Sequence, residues 1–415
     1  MFRPEILAPA GDMEKLHFAI KYGADAVYLS GTLYGMRAAT SNFDRDELKL
    51  AIEKAHAAGV KVYVTCNTMP RNAELAALPD YLAYLSEIGA DAVILADMGV
   101  LSLAKRYAPS LPIHISTQTS IVNHEAARMW HDLGADRVVL ARELSFEEIA
   151  EIRLKTPKEL SIEAFVHGSM CMSYSGRCLL SNYLAGRDAN RGACAQPCRW
   201  KYAVMEERRP GEYIPLEQDE SGTFIFNSKD MCMIEYIPEL IRCGIDSFKI
   251  EGRAKTFYYA AVITSAYRSA VDSYLAAPDN WKLPSYLYDE VCRVSHREYF
   301  TGFYFGRQTD SEHRGDSTYI RDWDVCGIVE SCDEDGTAVV MQKNRFQTGD
   351  SAEILLPDGT VHAFTVGELV SVDERFLTGE TIRVAPHPQM KVKLKLPCKA
   401  PVDTILRRDS SVAFQ

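Results

Sequence analysis

Between residues 4 and 276 one alternation recurs: a short apolar run, a polar or glycine tip, then a stretch whose apolar residues return every three or four positions. The apolar runs fall at 6–10, 26–30, 62–66, 92–96, 113–117, 137–141, 161–166 and 247–250. Runs this short and continuous predict strands buried on both faces. The segments between them, such as 45–58 and 125–133, predict helices with one apolar face. The links back into the strands repeat too, as Gly23-Ala24-Asp25, Gly89-Ala90-Asp91, Gly134-Ala135-Asp136 and Gly244-Ile245-Asp246. A glycine just past a helix takes the left-handed turn that ends it, and the next residues enter the following strand.

Eight such units within residues 1–276 predict an α/β fold, a (β/α)8 TIM-type barrel. An open doubly wound sheet is the rival, and eight regular units would make an unusually wide one. Chemistry in such a barrel gathers where strands end and βα-loops begin. The residues there are Asn67, Asp97, Gln118, Arg142 with Glu143, His167, and Glu251 with Arg253. The longest interruption follows the seventh strand, a cysteine-rich insertion at about 168–232, in which 200–205 and 223–226 are spaced to pair as a hairpin. Residues 277–320 read as a helical connector. From 321 to 400 short strands separated by Asp335-Gly336, Gly349-Asp350 and Asp358-Gly359 predict a small C-terminal β-barrel domain, with a tail over 401–415. Lys391, Lys393 and Lys395 alternate along its last predicted strand, as a charged edge against aggregation or as an RNA contact.

Composition narrows the classes of function. With 47% hydrophobic and 25% charged residues the chain is that of a soluble globular protein. No apolar run approaches the roughly 20 residues that span a bilayer, and the N-terminus lacks a signal layout, so no membrane and a cytoplasmic location are expected. A net charge of −11 argues against a general electrostatic binder of nucleic acid. Any RNA contact must therefore use a local patch, and Arg187, Arg191, Arg199 and Lys201 supply one.

The cysteines change the picture most. Five of the 11 lie between residues 171 and 232: Cys171, Cys178, Cys194, Cys198 and Cys232. In a cytoplasmic chain such crowding points to metal or catalysis rather than disulfides. Thiolates select iron–sulfur clusters, zinc or copper(I). Only Cys194 and Cys198 have zinc-like spacing, so a cluster held by four thiolates is the first reading, with zinc and unligated thiols as alternatives. Cys66 is read as a core cysteine, and Cys243, Cys292, Cys326, Cys332 and Cys398 as structural. His167 and Cys171 also lie close enough to suggest a thiolate–imidazole nucleophile. Hydrolysis leaves the other clustered cysteines unexplained, and the chain has no H-E-x-x-H helix and no G-x-S-x-G elbow.

The run at 163–181, EAFVHGSMCMSYSGRCLLS, resembles the signature of the peptidase U32 family. The likeness extends to LAPAGD at 7–12, STQ at 116–118, GACAQPCRW at 192–200, SKDMC at 228–232, KIEGR at 249–253 and the C-terminal β-domain. Despite the family's name, the resemblance implies oxygen-independent hydroxylation. The substrate would be the wobble uridine of tRNA, giving 5-hydroxyuridine, or a ribosomal RNA cytidine, or a ubiquinone precursor; a U32-type peptidase is the remaining alternative. Chain length and the β-domain are most like the tRNA branch. The resemblance also implies an iron–sulfur cluster (4Fe–4S), whose ligands in one branch match Cys171, Cys178, Cys194 and Cys232, with Cys198 a fifth candidate. It implies prephenate as co-substrate, tRNA as partner, and a second U32-family protein or a redox partner.

On that reading His167, Gln118 and Glu251 are candidates for catalysis, with Gln118 reading a base edge or bracing its loop. Arg142 and Arg253, with Arg37 as a third, are candidates for clamping carboxylates, and Arg199 for phosphate. Pairing of Arg142 and Arg253 with Glu143 and Glu251 is the plainer alternative.

Overall fold

The computed structural model describes residues 2–36, 42–170, 180–187, 189, 192–197, 229–306, 320–376 and 378–410, with the backbone alone at 203–205 and 213–215. Eight parallel strands close into a barrel: β1 (Glu5–Pro9), β2 (Ala26–Ser30), β3 (Lys61–Cys66), β4 (Ala92–Leu95), β5 (Ile113–Ile115), β6 (Arg137–Val139), β7 (Ser161–Ser169) and β8 (Ser247–Ile250). Each pairs with its neighbour in sequence, and β8 pairs with both β7 and β1. The predicted strands and the barrel are therefore present.

The repeated links serve two purposes. Gly23, Gly89, Gly134 and Gly244 have φ of 96°, 82°, 93° and 83°, the left-handed turn that stops each helix. The aspartates two residues on then each accept a backbone N–H from the start of the preceding strand. Asp25 takes that of Ile6 at 2.8 Å, Asp91 that of Val62 at 2.8 Å, Asp136 that of Ile113 at 2.8 Å and Asp246 that of Ile162 at 2.7 Å.

The insertion leaves and re-enters through a zipped neck. Asp230–Cys232 runs antiparallel to the end of β7, with Cys232 opposite His167 and Met231 opposite Gly168. Gly168 has φ of 108°, and a Cβ there would sit 2.4 Å from the Glu251 carbonyl oxygen, so only glycine fits. The insertion's hairpin differs from expectation. Ala203–Met205 pairs with Tyr213–Pro215, and 223–226 lies outside the described residues. The connector is helical only in part: after the helix Ser285–Cys292, Tyr299–Phe300 adds a strand beside Asp230–Cys232.

The C-terminal domain is an eight-stranded antiparallel sheet around its own core, with Val329, Val340, Phe346, Ile354, Val392 and Leu406 fully buried. Residues 405–409, expected in a tail, form one of its inner strands, pairing with Trp323–Cys332 on one side and Ser351–Leu355 on the other. The sequence there, Ile-Leu-Arg-Arg-Asp, hides a strand because two arginines interrupt the apolar pattern. Arg407 is fully buried all the same, with its charge met by Glu290 and Glu353. The lysine strand Lys391–Lys395 is not an edge either. It lies between Thr337–Gln342 and Leu369–Ser371, and Lys391 and Lys395 are paired with Glu330 and Asp335.

The two domains are tightly joined. The guanidinium of Arg407 reaches Glu290 Oε2 at 2.7 Å and Oε1 at 2.6 Å on the barrel side, and Glu353 Oε2 at 2.9 Å within its own domain. Tyr22 donates to the carbonyl of Leu355, and Val325, Ile328, Leu355 and Ile405 belong to the barrel's apolar core. Among the described residues, no helix is long and apolar enough to cross a membrane.

Candidate active site at the barrel mouth

Strand parity decides what reaches the mouth. On β7 and β8 alternate residues face the barrel interior: Glu163 and Phe165 on one, Ser247, Lys249 and Glu251 on the other. Lys249 Nζ donates to Glu163 Oε1 at 2.6 Å, and Arg137 Nη1 reaches Glu163 Oε2 at 3.1 Å and Glu5 Oε1 at 2.6 Å. Tyr63 and Ser247 complete the shell of Glu5. Burial works against the Glu5 charge, but Arg137 and these hydroxyls outweigh it, and the carboxyl is held below its ordinary range. A column of alternating charge thus runs from the lower face of the barrel to the floor of its mouth.

Above Lys249 opens a cavity of about 140 Å³ lined by Tyr28, Thr65, Asn67, Ser116, Gln118, Arg142, Phe165, Lys249, Glu251 and Arg253, among others. Lys249 Nζ lies 4.6 Å from the Tyr28 ring centre, and the Arg142 guanidinium lies 4.0 Å from that of Phe165. Arg142 donates to the Ser169 carbonyl at 2.8 Å. Arg253, buried, donates to Thr65 Oγ1 at 3.2 Å and Asn42 Oδ1 at 3.3 Å. Tyr28 OH lies 3.3 Å from Glu251 Oε2. The cavity therefore gathers three cationic side chains, the Glu251 carboxylate, aromatic faces and a small set of neutral amides and hydroxyls. Such a set can hold an anionic ligand beside a planar one.

Of the residues singled out in the sequence, Asn67, Gln118, Arg142, Glu251 and Arg253 line this one cavity. His167 does not. Phe165 pairs with Lys249 but His167 pairs with Ile250, so one extra residue in β7 bulges the strand and turns His167 to the outer face. It is fully buried there among Tyr259, Tyr267 and Tyr299, with Tyr267 OH 3.4 Å from Nδ1 and Tyr299 OH 3.4 Å from Nε2. Burial, then the nearby His296 and Lys255, holds its imidazole well below the ordinary range. Among the described residues it packs on the outer face of the barrel, away from the mouth cavity.

Arg37, Cys171, Cys178, Cys198 and Arg199 lie outside the described residues, as do Arg191 and Lys201. Cys194 is half-buried and Cys232 buried, and neither is in a disulfide. Among the described residues, no three His, Cys, Asp or Glu side chains come together as a metal site. Cys66 is a core residue, as expected. Lys249, Tyr28 and Ser116 were missed. A lysine and a glutamate at inward positions of otherwise apolar strands were the available signal.

Comparison with known proteins adds an independent line. The model of Peptidase family U32 matches residues 11–314, and that of the Peptidase family U32 C-terminal domain matches residues 321–407. A protein of Bacillus subtilis (strain 168) named tRNA hydroxylation protein P1 is 38% identical over 412 residues, covering 98% of this chain and 95% of that one. One of Escherichia coli (strain K12) named tRNA hydroxylation protein P is 37% identical over 440 residues, covering 96% and 94%. A second Bacillus subtilis protein, tRNA hydroxylation protein P2, is 36% identical over 310 residues, covering 74% of this chain and 98% of its own.

Proposed function

The chain belongs to peptidase family U32, and from that premise we propose that it is a tRNA-modifying enzyme, converting wobble uridine to 5-hydroxyuridine without molecular oxygen. The observation that carries this reading is the mouth cavity, where Arg142, Lys249 and Arg253 stand with aromatic faces and neutral amides in one space. A wobble base is unpaired in the free anticodon and cheap to turn out of its stack, and a barrel mouth can receive it. The three cations suit a small dicarboxylate, and prephenate is the co-substrate we assign to them. Arginine binds carboxylate in a two-pronged fashion, and Lys249 adds a point charge from below.

An iron–sulfur cluster is the cofactor we assign, held by Cys171, Cys178, Cys194 and Cys232, with Cys198 the alternative fourth ligand. The two described thiols fit thiolate ligation. The backbone N–H of Gln196 donates to Cys194 Sγ at 3.4 Å, in a turn where Gln196 has φ of 57°. Burial pushes the Cys232 thiol up to about 12, against bonds from the Ile234 backbone and Tyr267 that favour the thiolate, so a bound cluster would have to supply the missing countercharge. Such a cluster supplies single-electron chemistry when bound. The chain's own part is to hold the carboxylates on Arg142, Lys249 and Arg253, to seat the base against Phe165 and Tyr28, and to keep both out of bulk water.

The test is nucleoside analysis of tRNA from a strain lacking the protein, with and without the gene restored. Loss of 5-hydroxyuridine and its derivatives, recovered on complementation, is expected. An unchanged nucleoside profile refutes the proposal.

A further inference from the structure

Asn67 and Gln118 stand at the tips of β3 and β5, and one hydroxyl ties them together. Asn67 Nδ2 donates to Ser116 Oγ at 3.3 Å, and Ser116 Oγ donates to Gln118 Oε1 at 3.1 Å. The Gln118 backbone N–H also reaches Ser116 Oγ, at 3.5 Å, which leaves the hydroxyl proton for the glutamine carbonyl. Two atoms remain over: Asn67 Oδ1, an acceptor, and Gln118 Nε2, a donor. Both are buried and neither has a hydrogen-bond partner among the described residues, although their residues line the mouth cavity and Gln118 is only 7% exposed. Reversing the relay would exchange the amide atoms yet still leave one donor and one acceptor. Buried polar atoms left over in this way call for a partner, and the cavity is where one can enter.

We propose that Asn67 and Gln118 are specificity residues that read the edge of a pyrimidine base, Gln118 donating to a ring carbonyl oxygen and Asn67 accepting the neighbouring ring N–H. This rests on the tRNA reading above and names the part of the site that takes the base. A carboxylate offers acceptors only. It would satisfy Gln118 Nε2 but set a charged oxygen against Asn67 Oδ1. The imide edge of uracil, N3–H beside C4=O, presents a donor and an acceptor side by side. The cavity then divides by chemistry, with neutral amides on β3 and β5 for the base and cations on β6 and β8 for the dicarboxylate.

The full-length protein, purified anaerobically, is titrated with anticodon stem–loop RNA carrying uridine or 3-methyluridine at the wobble position. Methylation removes the N3–H, and wild type is expected to bind the methylated RNA about tenfold more weakly. Asn67→Leu and the smaller Asn67→Ala, both checked for native unfolding, should bind the two RNAs equally, and Gln118→Met should bind uridine RNA about tenfold more weakly than wild type does. A methylation penalty that persists in folded Asn67 variants overturns the proposal. So does prephenate binding that falls in these variants while RNA discrimination is unchanged. Wild type that binds both RNAs equally overturns this assignment alone, whereas wild type that binds neither overturns the tRNA reading as well.

Discussion

Replacing Arg407 by methionine tests how the two domains are held. Arg407 is fully buried and makes five polar contacts: two to Glu290, at 2.7 and 2.6 Å, two to Glu353, at 3.3 and 2.9 Å, and one to Tyr258 OH at 3.3 Å. Burial disfavours its charge, but Tyr258, Glu290 and Glu353 outweigh that and hold the guanidinium protonated more firmly than in water. The methionine fills much of the same space but leaves two carboxylates facing each other, with Glu290 only 7% exposed at its side chain. Arg293 Nη1 still reaches both carboxylates, at 2.6 Å each, so the anions are not abandoned. Removing one partner of a buried ion pair costs roughly 3–5 kcal/mol, and the surviving Arg293 places this case near the lower end. Arg407→Lys keeps the charge but loses the fork geometry and should fall between. Urea unfolding followed by tryptophan fluorescence is the assay, since the Trp323 ring lies 4.3 Å from the Arg293 guanidinium and 5.2 Å from that of Arg407. Arg407→Met that loses less than about 1 kcal/mol would refute the reasoning.

The remaining predictions concern the barrel and the insertion. Lys249→Met should weaken calorimetric binding of prephenate by roughly tenfold or more, and unchanged affinity would remove Lys249 from the carboxylate site. Cys194→Ser and Cys232→Ser should each lower the iron and sulfide content of anaerobically purified protein, and full content in either variant would exclude that residue as a ligand. The imidazole of His114 is held well below its ordinary range by burial, then by Arg137, Lys249 and Lys61. It stays neutral in the fold where the unfolded chain takes up a proton. Its stability contribution is therefore present above about pH 6.5 and lost as pH falls below that, by up to roughly 1.4 kcal/mol per pH unit. His114→Asn should flatten the fall in urea-unfolding free energy between pH 7 and pH 5, and an unchanged slope would contradict this.

The eight barrel strands were legible because a strand buried on both faces is mostly apolar, even where a single inward charge such as Arg137, Glu163 or Lys249 interrupts it. The tips of those strands are legible for the same reason, so Asn67, Gln118, Arg142, Glu251 and Arg253 group together in the sequence itself. His167 was misread because alternation of period two carries no sign of a bulge; the residue that displaces it is an ordinary valine. Residues 405–409 were misread because a fully buried arginine is cheap only when its counterions are in place, and those counterions, Glu290 and Glu353, lie 117 and 54 residues away in sequence. The link from Asn67 through Ser116 to Gln118 was unreadable for a similar reason, since 49 residues separate Asn67 from Ser116 in the chain but the Ser116 hydroxyl joins the two amides in space.

The usual division of labour in a barrel gives catalysis to the upper rim and mere durability to the underside. Here the two ends are in electrical contact. Glu5, at the underside, fixes Arg137, which fixes Glu163, which sets where the Lys249 ammonium stands at the floor of the mouth cavity. A neutral substitution at the bottom would be felt several ångströms higher as a misplaced charge, so inherited variation at the foot of this barrel can retune the electrostatics of the mouth without any change among the residues that line it.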